Sequence, residues 1–333
     1  MLVAARLRNQ HLVSPQAGGA VDVVRRFGAV QAQEYPGARL SLALRSRSLS
    51  RAAVDEALAA GEILRTHVLR DTWHLVAADD IRWLVTATRP RILKRNEAMY
   101  RRFGLDAGTL DRSAEVLADG LRGGRQLQRA ELRSLLGAHG IDAEGTRLAY
   151  ILMHAELDLL VCSGALVGKQ HTYALLDERV PRGTQPTGDE ALAELARRFF
   201  SSHGPATTKD FAWWASLRVA TARRAVEGAD GGLVRVGADG RTYWSVPARS
   251  ASRRRAVAHL LPTFDEYLVA YPESRDVVGA RLGEPAVLVD GRFAGSWRRR
   301  PGGELELRLE RRLEDDEQQA VDEAVTRYRR FEE

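Results

Sequence analysis

Two side-chain amides, Gln31 and Gln33, stand two residues apart in the run Ala29-Val30-Gln31-Ala32-Gln33. Side chains of an extended chain alternate between faces, so this spacing predicts both amides on one face. Farther along, Thr72-Trp73-His74-Leu75-Val76 alternates in the same sense. Thr72 and His74 are expected on one face, Trp73 and Leu75 on the other. Arg65, Thr66 and Arg70 come just before, on the facing strand and its turn. Two amides, two hydroxyls, an imidazole and two guanidinium groups exceed what a small hairpin needs for stability. An amide is essentially non-basic. Its carbonyl oxygen can still orient a water and set negative dipole density against a developing cation. On spacing alone, a surface hairpin with a capping Gln pair accounts for these residues at least as well.

Other chemistries lack their signatures. The chain has no G-x-G-x-x-G, Walker loop, H-E-x-x-H or G-x-S-x-G motif. Its one cysteine, Cys162, sits in an apolar run and reads as a buried small hydrophobe. No Cys–His pair has zinc spacing, and the eight histidines are scattered. Neither a metal nor another cofactor is therefore expected. Lysine occurs only at Lys94, Lys169 and Lys209, so nearly all of the 50 basic residues are arginine. No lysine lies near the Gln pair to form a Schiff base, which argues against a lyase step.

The elements that must position these residues can be read from periodicity. Ala20, Val23, Val24 and Phe27 form a helical stripe that Gly28 ends. A second helix is expected over 38–45, after a turn at Pro36-Gly37. A third is capped by Ser50 and stopped by Gly61. Strands at 63–68 and 72–76 follow, then a long helix over 79–103. Helices followed by a two-stranded hairpin are the layout of a winged helix. The theme returns at 126–175 and again at 190–246, where Trp213-Trp214 reads as core. The last eighty residues carry hairpin signals at Asp290-Gly291 and Pro301-Gly302-Gly303, then a helix over 314–331. The expected fold is α+β, mainly α. It has winged helices at 1–115, 116–185 and 186–250, then a β-rich portion at 251–333.

The net charge is +6, and the arginines cluster. Arg253-Arg254-Arg255, Arg298-Arg299-Arg300, Arg101-Arg102 and Arg223-Arg224 suit bidentate contact with phosphate. Arg298, Arg299 and Arg300 adjoin a Pro-Gly-Gly turn, a basic tip able to enter a groove. No stretch of 18 apolar residues exists. Arg6 and Arg8 follow a short apolar run, the reverse of a secretory signal, which predicts a cytoplasmic protein.

Three segments in order, FGAVQAQEYPGARLSLALRSR, RTHVLRDTWHLV and LLPTFDEYLVAYPESR, resemble the AlkZ-like branch of the helix-turn-helix DNA glycosylases. That superfamily also includes a YcaQ branch. The resemblance implies three winged helices around a concave basic surface and excision of N-alkylated purines. The substrates it implies include bulky N7 adducts and interstrand crosslinks made by genotoxic natural products. The family motif of Gln, an aliphatic residue and Gln or Asp falls on Gln31-Ala32-Gln33, and Gln33 places the chain in the AlkZ branch. The family's Arg-Thr falls on Arg65-Thr66 and its Thr-x-His on Thr72-Trp73-His74. Asp265 and Tyr267 match its LLPTFDEYL-like signature, with an expected role in joining the last domains.

These observations predict a monomeric, cofactor-free, monofunctional glycosylase acting on double-stranded DNA. Gln31 and Gln33 are the expected catalytic pair, supported by Thr66, Thr72 and His74. Arg65, Arg70, Arg253, Arg254, Arg298, Arg299 and Arg300 are the expected DNA contacts. Because a crosslinked base cannot leave the stack freely, an open site is expected in place of a snug pocket. The alternative is a non-catalytic winged-helix protein, either a transcription regulator or one that sequesters adducts.

Overall fold

A computed structural model of the chain describes residues 1–16, 18–229, 231–247, 255–274, 278–279 and 283–333. The chain opens with helix α1 (Leu2–Asn9). It continues through α2 (Ala20–Phe27), strand β1 (Val30–Gln31), α3 (Tyr35–Ala43), α4 (Arg51–Ala60), β2 (Ile63–His67) and β3 (Trp73–Ala77). Local chemistry explains these bounds. Gly28 ends α2 at a φ of 78°. Ser50 caps α4 by accepting from the Ala53 amide at 3.1 Å. The α3 helix begins earlier than expected. Pro36 lies in its first turn, where a missing N–H costs nothing, and does not act as a breaker before it.

The same order then repeats. After the long α5 (Ile81–Arg102) come α6 (Ala107–Leu121), β4 (Leu127–Gln128), α7 (Arg129–Ala138), α8 (Thr146–Leu157), β5 (Val161–Val167) and β6 (Gln170–Leu175). A short α9 (Leu176–Arg179) leads to the third round: α10 (Gly188–His203), α11 (Thr208–Trp214), α12 (Val219–Gly228), β7 (Val234–Ala238) and β8 (Arg241–Ser245). In each round a short extended link between helices pairs with the second hairpin strand. Gln31 pairs with His74, Gln128 with Thr172, and Ala206 with Trp244. The final portion holds β9 (Ala258–Leu261), α13 (Glu266–Val269), β10 (Ala286–Val289), β11 (Arg292–Arg299), β12 (Leu305–Leu309) and α14 (Asp315–Glu332). Its strands form one antiparallel sheet in the order β12-β11-β10-β9. The fold is thus mixed α and β, and mainly helical.

The core ties the repeats together. One cluster takes Leu64 and Trp83 from the first, Leu136 and Leu152 from the second, and Phe199 and Trp214 from the third. The C-terminal sheet and α14 pack on the N-terminal helices through Leu40, and through Leu7 and Leu12. Arg45 and Asp265 make a buried bidentate ion pair at 2.8 Å per arm, which fastens the C-terminal portion to the end of α3. Asp265 is thus fully buried and faces no solvent. Among the described residues, no helix is long and apolar enough to cross a membrane.

Candidate active site

The three-stranded sheet β1-β3-β2 carries the cluster. Gln31 lies opposite His74, and His74 lies opposite Thr66. Directly opposed residues of an antiparallel pair share a face, so these three side chains stand abreast. Arg70 joins them from the turn after β2. Leu69 before it holds a φ of 62°, and its amide donates to the Thr88 hydroxyl at 3.2 Å. Arg70 Nη2 donates to Gln31 Oε1 at 2.8 Å and lies 3.3 Å from His74 Nε2. Arg70 Nη1 donates to the Trp214 carbonyl at 3.4 Å. That carbonyl belongs to the last turn of α11, the helix end that favours a cation.

His74 is fully buried. Its Nδ1 lies 2.9 Å from the Thr72 carbonyl. A carbonyl only accepts, so Nδ1 carries the proton and Nε2 receives the Arg70 hydrogen bond. Burial, reinforced by the charge of Arg70, lowers His74 to about 3. The imidazole is therefore neutral at working pH and has no proton to give to a leaving group. The Thr66 and Thr72 hydroxyls are buried with no hydrogen-bond partner.

Sequence reasoning missed the carboxylate of this cluster. Glu266, at the start of α13, is fully buried. Its Oε1 accepts from the Gln31 backbone amide at 2.7 Å. Its Oε2 accepts from Trp214 Nε1 at 2.8 Å and lies 3.2 Å from His203 Nε2. Burial opposes ionisation here. The His203 hydrogen bond and, beyond it, the Arg70 charge prevail and hold the carboxyl at about 2. The available signal was an acid between Asp265 and Tyr267 in an otherwise apolar stretch.

Several expectations fare differently. The strand ends at Gln31, and the last ladder bond runs from the Ala32 amide to the Trp73 carbonyl at 2.8 Å. Gln31 is only 8% exposed. Gln33 falls in the bend before α3 and is exposed, so the alternation expected of the pair does not continue past Gln31. Arg70 is 8% exposed and turns inward, while Arg65 is half-buried. Arg70 is spent on Gln31, His74 and Trp214. Arg65 donates to the Ala32 carbonyl at 3.0 Å and lies 4.2 Å over the Trp73 ring. Both brace the Gln31 segment from inside. Arg298 and Arg300 share Glu306 at 2.6 and 2.7 Å, and Arg299 pairs with Glu332 at 2.8 Å, so two carboxylates offset part of the charge of three exposed guanidinium groups. Arg253 and Arg254 lie outside the described residues. Trp214 is core as expected, but Trp213 is exposed. Cys162 is buried, and burial raises its thiol to about 12.

Two further observations bound the site. A cavity of about 650 Å³ between the end of α3, β9 and α14 includes neither Gln31 nor His74. Among the described residues, no group of three or more His, Cys, Asp or Glu is placed to hold a metal ion.

Comparison with known proteins decides between an enzyme and a binding module. A family model described as DNA glycosylase AlkZ-like matches residues 24–331, a span that takes in every member of the cluster. The chain is therefore a DNA glycosylase. It belongs to the AlkZ-like family. It is similar to the interstrand DNA cross-link repair glycosylase of Streptomyces sahachiroi. The two are 28% identical over 320 residues, covering 88% of this chain and 86% of that one. It also resembles the solved structure of the Streptomyces sahachiroi DNA glycosylase AlkZ. The TM-score is 0.79 at 25% identity, covering 99% of this chain and 95% of the other.

Proposed function

We propose that this chain hydrolyses the glycosidic bond of cationic N7-alkylpurines in double-stranded DNA. The substrates are bulky adducts of genotoxic natural products and the interstrand crosslinks they make, as in the relative named for cross-link repair. The observation that carries the reading is the fixation of Gln31 from two sides, its side chain by Arg70 and its backbone by Glu266.

Glycosidic cleavage passes through an oxocarbenium-like sugar. An N7-alkylated purine already bears a positive charge and leaves as a neutral base. No general acid is needed, and the cluster offers none, since His74 is neutral and an amide is not an acid. Gln31 and Gln33 orient the attacking water and turn carbonyl dipoles toward the developing cation. Thr66, Thr72 and His74 support them, while Arg65 and Arg70 brace the motif. The ionised Glu266 behind Gln31 adds negative potential on the side where positive charge grows. Neutral lesions are poor substrates for such a site. The three helix–helix–hairpin units serve as winged helices at 1–115, 116–185 and 186–250, with the β-rich portion at 251–333. The enzyme works as a cytoplasmic monomer without cofactor or lyase step.

The test uses a duplex with a single 7-methylguanine, incubated without metal or nucleotide and then heated in alkali to cut abasic sites. The wild type is expected to yield scission. A Gln31→Ala/Gln33→Ala protein is expected to be slower by about 100-fold or more. Equal scission by both proteins would remove the catalytic role of the pair. If neither acts on the methyl lesion, a duplex crosslinked through guanine N7 is next, and failure to unhook it would end the N7-alkylpurine reading.

A further inference from the structure

Trp213 is exposed over 41% of its surface, and it is the one exposed aromatic side chain among the described residues. Its neighbour Trp214 is fully buried and donates its indole N–H to Glu266 at 2.8 Å. The Trp214 carbonyl accepts from Arg70. The end of α11 is thus pinned to the Gln31 cluster at two points, one on each side of the chain. The pinned backbone holds Trp213 partly outward, which leaves 41% of a large apolar side chain in solvent. The Arg70 guanidinium carbon lies 4.8 Å from the Trp213 ring centroid, and the same guanidinium holds Gln31 Oε1. An open indole therefore stands one residue away from the amide expected to do chemistry. The rim beside it is cationic and polar, with Arg95 reaching Asp71 at 3.7 Å and the Ser216 hydroxyl at 3.5 Å.

We infer that Trp213 is a stacking subsite for a planar, electron-poor aromatic ring, and that it reads the lesion next to Gln31. A flat, rigid indole with two rotatable bonds binds a planar ring at little entropic cost. Arg70 covers one face of the indole, and the opposite electron-rich face attracts cationic rings over neutral ones, which favours an N7-alkylpurine over an intact base. The ring is either the alkylated purine itself or an aromatic group carried by the adduct. This inference rests on the glycosylase reading of the same site and assigns the part of it that touches the lesion.

The test measures binding apart from catalysis. Duplexes carry an unmodified guanine, a 7-methylguanine or a 7-benzylguanine. A 2′-fluoro-arabinose at the modified nucleotide keeps its glycosidic bond intact. Dissociation constants at fixed salt are compared for wild type, Trp213→Ala and Trp213→Phe. Trp213→Ala is expected to lose the preference for lesion over unmodified duplex by about ten-fold. Its affinity for the unmodified duplex should stay within about two-fold, and Trp213→Phe should keep most of the preference. Loss on both lesions identifies the purine as the stacked ring, and loss on the benzyl adduct alone identifies the adduct. Equal weakening on all three duplexes, no change on any, or no lesion preference in the wild type would overturn the subsite. Base release from ordinary deoxyribose lesions is scored separately. A wild type that prefers lesions through Trp213 but releases no base would keep the subsite and sink the chemistry.

Discussion

The first and third repeats build the same link in opposite ways. In the third, Ala206 bridges to β8 and Thr207 at once caps α11. The Thr207 hydroxyl accepts from the Asp210 amide at 3.0 Å, and the Asp210 carboxylate accepts from the Thr207 amide at 2.9 Å. The link's backbone amide thus finds its acceptor on the repeat's own helix, although the same carboxylate also accepts from the Glu273 amide at 2.9 Å and the Ser274 hydroxyl at 3.0 Å. In the first repeat, residues 32–34 separate β1 from α3, and α3 has no side-chain cap. There the Gln31 amide is met by Arg70 of the hairpin turn and by Glu266 of the C-terminal portion. The second repeat follows the third, with the Gln128 amide donating to Glu131 at 2.7 Å directly before α7. What sets the first link apart is that its backbone amide is met by a carboxylate from a distant segment, where the other two use an acid of the following helix.

The comparison can be broken most severely at Gln31. Gln31→Ala should slow excision by about 100-fold, while Gln128→Ala on the equivalent rung should leave the single-turnover rate within about two-fold and cost about 1 kcal/mol of stability at most. Equal losses would erase the distinction between the repeats. Next comes Glu266→Gln, which keeps an acceptor for the Gln31 amide but removes the charge. The rate constant for base release should fall about ten-fold, with affinity for unmodified duplex unchanged. A fall in affinity without a fall in rate would make Glu266 a plain structural acid.

Acid should expose the buried imidazoles. Burial lowers His74 to about 3 and His259 to about 4. The unfolded chain takes up a proton at each near pH 6.5, and the folded chain does not until those lower values. Stability is therefore lost as pH falls from about 6.5 toward 4, by about 1.4 kcal/mol per pH unit for each group. Glu266, also depressed, adds to the loss below its ordinary range. Thermal melts across pH 4–7 check this, and a flat profile would contradict the neutral imidazoles. The smallest effect is expected at Arg298, Arg299 and Arg300. Changed together to Ala, they should weaken DNA binding less than about three-fold, because Glu306 and Glu332 already offset part of their charge. A steep loss, with a shallower salt dependence, would return them to the DNA interface.

Local signals carried most of the architecture. Gly28, Ser50, Gly61 and the Asp290-Gly291 turn each mark a boundary that local backbone chemistry dictates. Helix α6 went unread although Leu110, Ala114, Leu117 and Leu121 recur at helical spacing, and the four residues of β9 are too few to show a period. The site was legible where it is local: Thr66, Thr72 and His74 belong to one hairpin, and alternation puts them together. It was illegible where it is long-range. Nothing in the spacing of Arg70 says that its guanidinium turns inward to Gln31. Nothing in the Trp213-Trp214 pair says which indole Glu266 takes.

The bond between the Gln31 amide and Glu266 spans 235 positions of the chain. A ribosome delivers Gln31 long before Glu266, and the later segment must fold back before the amide has its anchor and Trp214 its acceptor. A polypeptide broken off ahead of β9 contains the whole Gln-Ala-Gln motif and all three helix–helix–hairpin rounds, yet lacks the assembled cluster. Chains that end early thus leave the Gln31 amide and the Trp214 indole without their common acceptor.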